Sequence, residues 1–417
     1  MEFFTLDNGI RVVYERIDYV KSLTIGVFVG AGSALEKKCE NGISHFLEHM
    51  FFKGTKKRNA KEIAEYMDFC GGQLNAVTSK EYTCFYAKVL ENHADKAYEI
   101  LSDMLINSTF TEENTELERK VITEEIKLCE DTPEDLIFDM ISETMWKESS
   151  LGFPVAGTAE SVSRISRDMI LKYYSDNYRG LNTVISVVGC FDESELKTKL
   201  SHYFGGISSL EYEKKIYKPE IITKGLSIRQ KETEQCQLCI SFEGLDRSDD
   251  AVYDLLSVNA VFGGSMSSRL FQKIREENGL SYSVYSYINT YTKGGSLVIY
   301  AGMNADELEK VLSLINGEIK LLKKDRLSET EINSSREQIR SGIIMGLESM
   351  SNRMTSYGKN LLLEGKVDDS DMLMKKIGRV NKKRAAEVIE RVFDIDKMNI
   401  AVLGNVADCD YSKYFTF

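Results

Sequence analysis

The spacing of apolar residues changes period repeatedly along the chain, and each change marks a different element. The opening MEFFTLDNGIRVVYERID alternates apolar and polar residues, the pattern of a half-buried strand. GGQLNAVTSKEYTCFYAKV at 71–89 reads as strands following a Gly-Gly turn, and QCQLCISFEGL at 235–245 as a further strand. Between such runs the period lengthens to that of a helix, most plainly over 112–130. At about 100° per residue, Asn114, Val121, Ile122, Leu128 and Cys129 gather on one side of that helix. Arg119, Lys120, Thr123, Glu124, Lys127 and Glu130 gather on the other, and Glu118 and Glu125 fall in the middle of the largely apolar side.

The second half of the pattern echoes the first. FYAKVLENHADKAYEIL at 85–101 resembles VIYAGMNADELEKVL at 298–312, with Tyr86 over Tyr300. FTEENTELERKVITEEI at 110–126 resembles LSETEINSSREQIRSGI at 327–343, and NTVISVVG at 182–189 resembles MNIAVLG at 398–404. The three offsets agree within three residues, which predicts an internal duplication. A polar stretch over 205–220, GGISSLEYEKKIYKPE, separates the copies. The expected organisation is two α+β domains of about 200 residues, 1–210 and 225–417, joined by a linker at 211–224. Each would be a mainly antiparallel sheet covered by helices.

Composition narrows the class of partner. With 53 basic and 65 acidic residues the net charge is −12, which argues against a nucleic-acid-binding surface and permits a basic peptide substrate, though solubility alone explains it. No apolar run approaches the roughly 20 residues needed to span a bilayer, and the first residues lack the order of a signal peptide, so the expected compartment is the cytoplasm. The eight cysteines are scattered without a disulfide framework. Cys236 and Cys239 form a CxxC, but on a strand an odd separation sends the two thiols to opposite faces. They are read as packing residues.

The chemistry concentrates in HFLEH at 45–49. His45 and His49, four apart on a helix, lie on one face at the spacing two imidazoles need to share a tetrahedral zinc. Glu48 lies close to that face and can reach a water there. Phe46, Leu47, Met50, Phe51 and Phe52 make the helix apolar nearly all round, so unpaired polar groups within it would be costly. A third ligand is needed. His93 and His202 sit in polar surroundings and read as surface residues, whereas Glu118 and Glu125 on the 112–130 helix need a cation or strong donors. Glu125 is the expected ligand, and Glu118 the residue that orients a histidine. The second copy has none of these groups: Glu118 is replaced by Ser335, Glu125 by Gly342, and HFLEH by roughly SVNAVFGG.

GISHFLEHMFFKGT, followed 76 residues after His49 by Glu125 in ERKVITEEI, resembles the inverted-zincin motif of pitrilysin, insulysin and the β-subunit of mitochondrial processing peptidase. GGSMSSRLFQKIREENGLSYSVYS at 263–286 resembles the same family's C-terminal segment. In length the chain is most similar to bacterial processing-peptidase-like members. The resemblance implies a zinc endopeptidase with His45, His49 and Glu125 as ligands, Glu48 as base and Glu118 as supporting acid. It also implies that Arg275 and Tyr282 contact substrate, that Asn75 and Ala76 lie near it, and that the working unit is a homodimer or a heterodimer with a paralogue. Members often carry His-Pro where this chain has Ser150 and Leu151. Two other readings fit the same pattern: a non-catalytic peptide-binding subunit, and a metallohydrolase acting on something other than peptide.

Overall fold

The computed structural model describes residues 1–147, 149–217, 221–406 and 411–414. Residues 218–220 of the expected linker, and Cys409, lie outside the described residues. The chain divides into two compact units.

In the first unit, six strands form one sheet. They are β1 (Glu2–Thr5), β2 (Arg11–Arg16), β3 (Ser22–Val29), β4 (Gln73–Thr78), β5 (Thr83–Leu90) and β6 (Thr183–Gly189). Their order is β1-β2-β6-β3-β5-β4. Only β2 and β6 run parallel; every other pairing is antiparallel. The alternating N-terminal stretch folds as expected, with β1 laid antiparallel on β2 from Glu2↔Tyr14 to Thr5↔Arg11. β6 is buried at every position because both faces of the sheet are covered. On one face lie α1 (Ile43–Phe51), α3 (Ala94–Asn107) and part of α4 (Glu112–Asp131), with α2 (Ala60–Phe69) beside them. On the other face Val13, Phe28, Val184 and Val188 receive Met354, Leu361 and Leu362 from the helix Met350–Glu364. That contact is close: a Cβ on Gly358 would stand 2.1 Å from Phe28 Cε2.

The second unit repeats the scheme with β7 (Gly225–Gln230), β8 (Cys236–Glu243), β9 (Ser281–Tyr291), β10 (Gly294–Met303) and β11 (Asn399–Gly404). Its order, β7-β11-β8-β10-β9, is that of β2-β6-β3-β5-β4, again with one parallel pair, β7 and β11. The echoing segments correspond in the two units: β5 with β10 and β6 with β11 hold the same places in the two sheets, and α4 is the second α-helix after β5 as the helix Glu329–Gly346 is after β10. Here α5 (Pro133–Met145) covers one face through Leu136, Ile137, Met140 and Ile141. Cys236 and Cys239 are buried in different cores on opposite faces of β8, as strand geometry requires.

The partition departs from a cut at 211–224 in two places. Leu128–Gly152 belongs to the second unit, and Met345–Val367 to the first. Each sheet needs apolar cover on both faces, and each takes one of its covering helices from the far half of the sequence. Among the described residues, no helix is long and apolar enough to cross a membrane.

Candidate metal centre

The site is built on α1, whose start is unusually well fixed. Gly42, the residue before the helix, has φ of 93° and faces Gly157, and a Cβ there would stand 2.7 Å from Ala156 O. The buried Glu36 carboxylate takes two backbone N–H groups at the start of the helix and a side-chain amide: Oε2 accepts from Gly42 N at 2.7 Å and Asn41 Nδ2 at 3.0 Å, and Oε1 from Ser44 N at 2.8 Å. Burial pushes the Glu36 carboxyl up, against these donors. Ser44 Oγ lies 2.7 Å from Tyr173 OH. Ile43, Phe46, Leu47, Met50 and Phe51 point into the core, which leaves His45, Glu48 and His49 along the remaining, half-buried face.

Opposite that face runs α4. Its buried stripe is Thr115, Glu118, Ile122 and Ile126; Val121 and Leu128, expected on the apolar side, are exposed. The stripe therefore passes through Glu118 (1% exposed), while Glu125 stands at its margin with a side chain 48% exposed. His45 Nε2 lies 3.7 Å from Glu125 Oε1, and His49 Nε2 lies 3.6 Å from Glu125 Oε2. The imidazole centroids are 4.7 Å apart. One donor atom from each of these three residues falls within 4.8 Å of the others, the one such group found among the described residues. His93 and His202 stand apart from it.

Protonation decides what can fit between them. Burial, and then the neighbouring His49, push His45 down to about 4, so its ring is neutral at pH 7. His49 Nδ1 lies 3.1 Å from Glu118 Oε2, a carboxylate that can only accept, so the proton of a neutral ring sits on Nδ1 and the lone pair on Nε2. His45 Nε2, His49 Nε2 and the Glu125 carboxylate thus converge, a set of two imidazoles and one carboxylate. A tetrahedral zinc with bonds of about 2.0–2.2 Å would set its ligand atoms roughly 3.4 Å apart, near the observed separations. The donor set fits zinc.

The supporting groups are equally specific. Glu118 Oε1 lies 2.7 Å from Lys53 Nζ, four residues after His49. Burial alone would raise the Glu118 carboxyl, but His49 and Lys53 together hold it below the usual range. Glu48 Oε2 accepts the hydroxyl of Thr78 at 2.5 Å. Burial pushes Glu48 up, opposed by Thr78 and His49. β4 is the edge of its sheet: it pairs with β5 on one side and, among the described residues, with no strand on the other. Asn75 lies exposed on it, its Oδ1 accepting Ala76 N at 2.8 Å. A cleft of about 710 Å³ opens beside this strand, lined by Phe52, Ile63, Met67, Leu74, Asn75 and Tyr86 among others.

The second unit keeps the scaffold without the chemistry. There the helices Val252–Phe262 and Glu329–Gly346 meet through the buried hydroxyls of Ser257 and Ser335, 2.5 Å apart. Arg275 and Tyr282 belong to this unit. Arg275 lies within a π-helical turn, Phe271–Glu276, and its guanidinium lies 4.6 Å from the Tyr282 ring centroid, with Nη1 donating to Tyr282 O at 3.0 Å. Tyr282 is 75% exposed, and Arg275 Nε lies 3.7 Å from Glu276 Oε1.

Residues 11–159 match the insulinase family, peptidase family M16, and residues 164–339 match the family's inactive domain. An uncharacterized zinc protease of Bacillus subtilis, YmxG, is 43% identical over 94% of this chain and 96% of its own. The chain belongs to peptidase family M16. An uncharacterized zinc protease of Rickettsia bellii is 36% identical over 96% of both chains. Among solved structures, a protease from Helicobacter pylori matches the fold with a TM-score of 0.89 at 21% identity, over 97% of this chain and 99% of that one. A peptidase M16 inactive domain from Pseudomonas fluorescens matches with a TM-score of 0.90 at 16% identity, over 97% and 98%. Two M16 segments in sequence agree with the duplication read from the two sheets, one with the metal group and one without.

Proposed function

We propose that the chain is a zinc-dependent endopeptidase that cleaves unfolded peptides or leader segments. The observation that carries this reading is the convergence of His45, His49 and Glu125 with Glu48 alongside and Thr78 beneath it. Zinc, when bound, polarises a scissile carbonyl and acidifies water. The rest is done by the chain. His45, His49 and Glu125 hold the ion, and Glu118, itself tied to Lys53, fixes the tautomer of His49. Glu48 takes the proton of the attacking water and passes it to the leaving amine. The open edge of β4, at Asn75 and Ala76, takes an extended peptide by strand addition, and the cleft beside it receives a side chain. Folded proteins, whose strands are already paired, are spared.

Arg275 and Tyr282 contact the substrate backbone and help stabilise the oxyanion. The net charge of −12 favours basic peptides, and the working form is a homodimer or a heterodimer with a paralogue, in the cytoplasm. The match to an inactive domain keeps a second reading in view, a subunit that binds peptide without cutting it. A quenched-fluorescence library of basic and acidic unfolded peptides separates them. Zinc-dependent cleavage, faster on the basic set at low salt, is the expected result; tight binding with no turnover in the zinc-loaded protein would establish the second reading.

A further inference from the structure

Side chains alternate along a strand, so β4 presents Leu74, Ala76 and Thr78 to one side and Gln73, Asn75 and Val77 to the other. The first three are half-buried and the second three exposed. Leu74 and Ala76 pack against the core of the first unit. Thr78, the last residue of the strand, instead reaches α1 with its hydroxyl, 2.5 Å from Glu48 Oε2. An ionised carboxylate has no proton to give, so Thr78 donates, and the bond is charge-assisted. The hydroxyl is itself well placed. A β-branched side chain is stiff about χ1, and Thr83, paired with Thr78 across β5, sets its own Oγ1 3.4 Å away while donating to Ala31 O at 2.9 Å.

We propose that Thr78 is a positioning residue for the base. Its hydroxyl holds Oε2 of Glu48, its backbone N–H adds a second donor to the same carboxylate, and the proton of the attacking water is taken at Oε1. The terminal torsion of a glutamate is broad and weakly restrained, so without the hydroxyl the carboxylate samples orientations from which it takes no proton. The same strand offers its open edge to the peptide, so the bound backbone and the base are referred to one rigid element. Loss of the hydroxyl leaves that edge unchanged. Its effect therefore falls on turnover and not on binding. This inference rests on the reading of Glu48 as the base.

The test uses the full chain loaded with zinc, an internally quenched unfolded peptide, and the variants Thr78→Val and Thr78→Ser. Thr78→Val keeps the shape and the backbone N–H and removes the hydroxyl that holds Oε2; kcat should fall about 10–100-fold, the range set by misplacing a general base. KM should stay within about twofold and zinc content should not change. Thr78→Ser, which restores a donor, should return kcat to within about threefold of wild type. If Thr78→Val melts below the assay temperature, Thr78→Ala serves the same comparison. Wild-type kcat in the variant lacking the hydroxyl would overturn the proposal, as would equal losses in Val and Ser variants or a change confined to KM or zinc content. Zinc-loaded wild type that cuts no peptide overturns the peptidase reading and the role of Thr78 with it. An active wild type with an unaffected Thr78→Val overturns Thr78 alone.

Discussion

The buried carboxylate of Glu118 meets His49 at Nδ1, 3.1 Å away, on the side of the ring opposite Glu125. In a neutral ring that contact puts the proton on Nδ1, so under the proposed function Glu118 would act on the metal through His49. Glu118→Gln should weaken zinc retention about tenfold or more without abolishing it, the usual size of such an effect. Competition against a chelator with measured zinc affinity reads this directly. Unchanged retention would mean that the His49 tautomer is set elsewhere.

Ligands and base should separate by mutation. Glu48→Gln should keep about one zinc per chain and lose hydrolysis, because it removes a proton acceptor and no ligand. His49→Ala and Glu125→Ala should lose zinc and activity together. Metal analysis of purified variants beside a peptide assay checks both. Full zinc and full activity in Glu125→Ala would place the third ligand elsewhere, with Glu124 the next to test.

Glu36 touches neither metal ligand nor base, yet it accepts two backbone N–H groups at the start of α1. Each buried donor left unpaired costs about 1–3 kcal/mol. Glu36→Ala should therefore destabilise the zinc-free protein by about 3 kcal/mol, lowering Tm by about 6–12 °C for a unit of this size. Glu36→Gln, with one acceptor oxygen remaining, should lose roughly half as much. A thermal melt of the two variants measures the order and the gap.

Arg275 and Tyr282 lie on the unit without the metal group, and the proposed dimer would let them serve another chain's zinc. Glu48→Gln and Arg275→Ala homodimers should each be nearly inactive. Mixing them under subunit exchange should restore up to about a quarter of wild-type activity per chain, since half the dimers are mixed and each holds one intact site. No recovery, with exchange demonstrated, would sink the shared arrangement.

Much of this was legible in sequence because it is local or repeated. His45 and His49 need only helical spacing to be brought together, and Tyr86 and Tyr300 need only a common offset to reveal the duplication. Glu125 came from the same helix as Glu118, but for a partly mistaken reason. Val121 and Leu128 are exposed, so the apolar side of α4 is narrower than its composition suggests. Periodicity shows which residues share a face but not what covers it. Lys53 had a usable signal, a cation four residues after His49, although it lies just past the end of α1. Thr78 had another, two residues beyond Ala76 on a strand, but its target, Glu48, is 30 positions away and chosen by packing. The exchange of helices was invisible for the same reason: nothing within Met350–Glu364 states which sheet it will cover.

That exchange has a consequence for how the protein is made. A ribosome delivers the chain from the N-terminus, and residues 1–217 emerge with every strand of the first sheet but without the helix that shields Phe28, Val184 and Val188. The helix is not available until Glu364 has cleared the exit tunnel, well after the strands it covers. The first sheet therefore waits, one face bare, until every strand of the second sheet but β11 has been made, and a fragment stopped at the linker would expose that face as a sticky nascent intermediate.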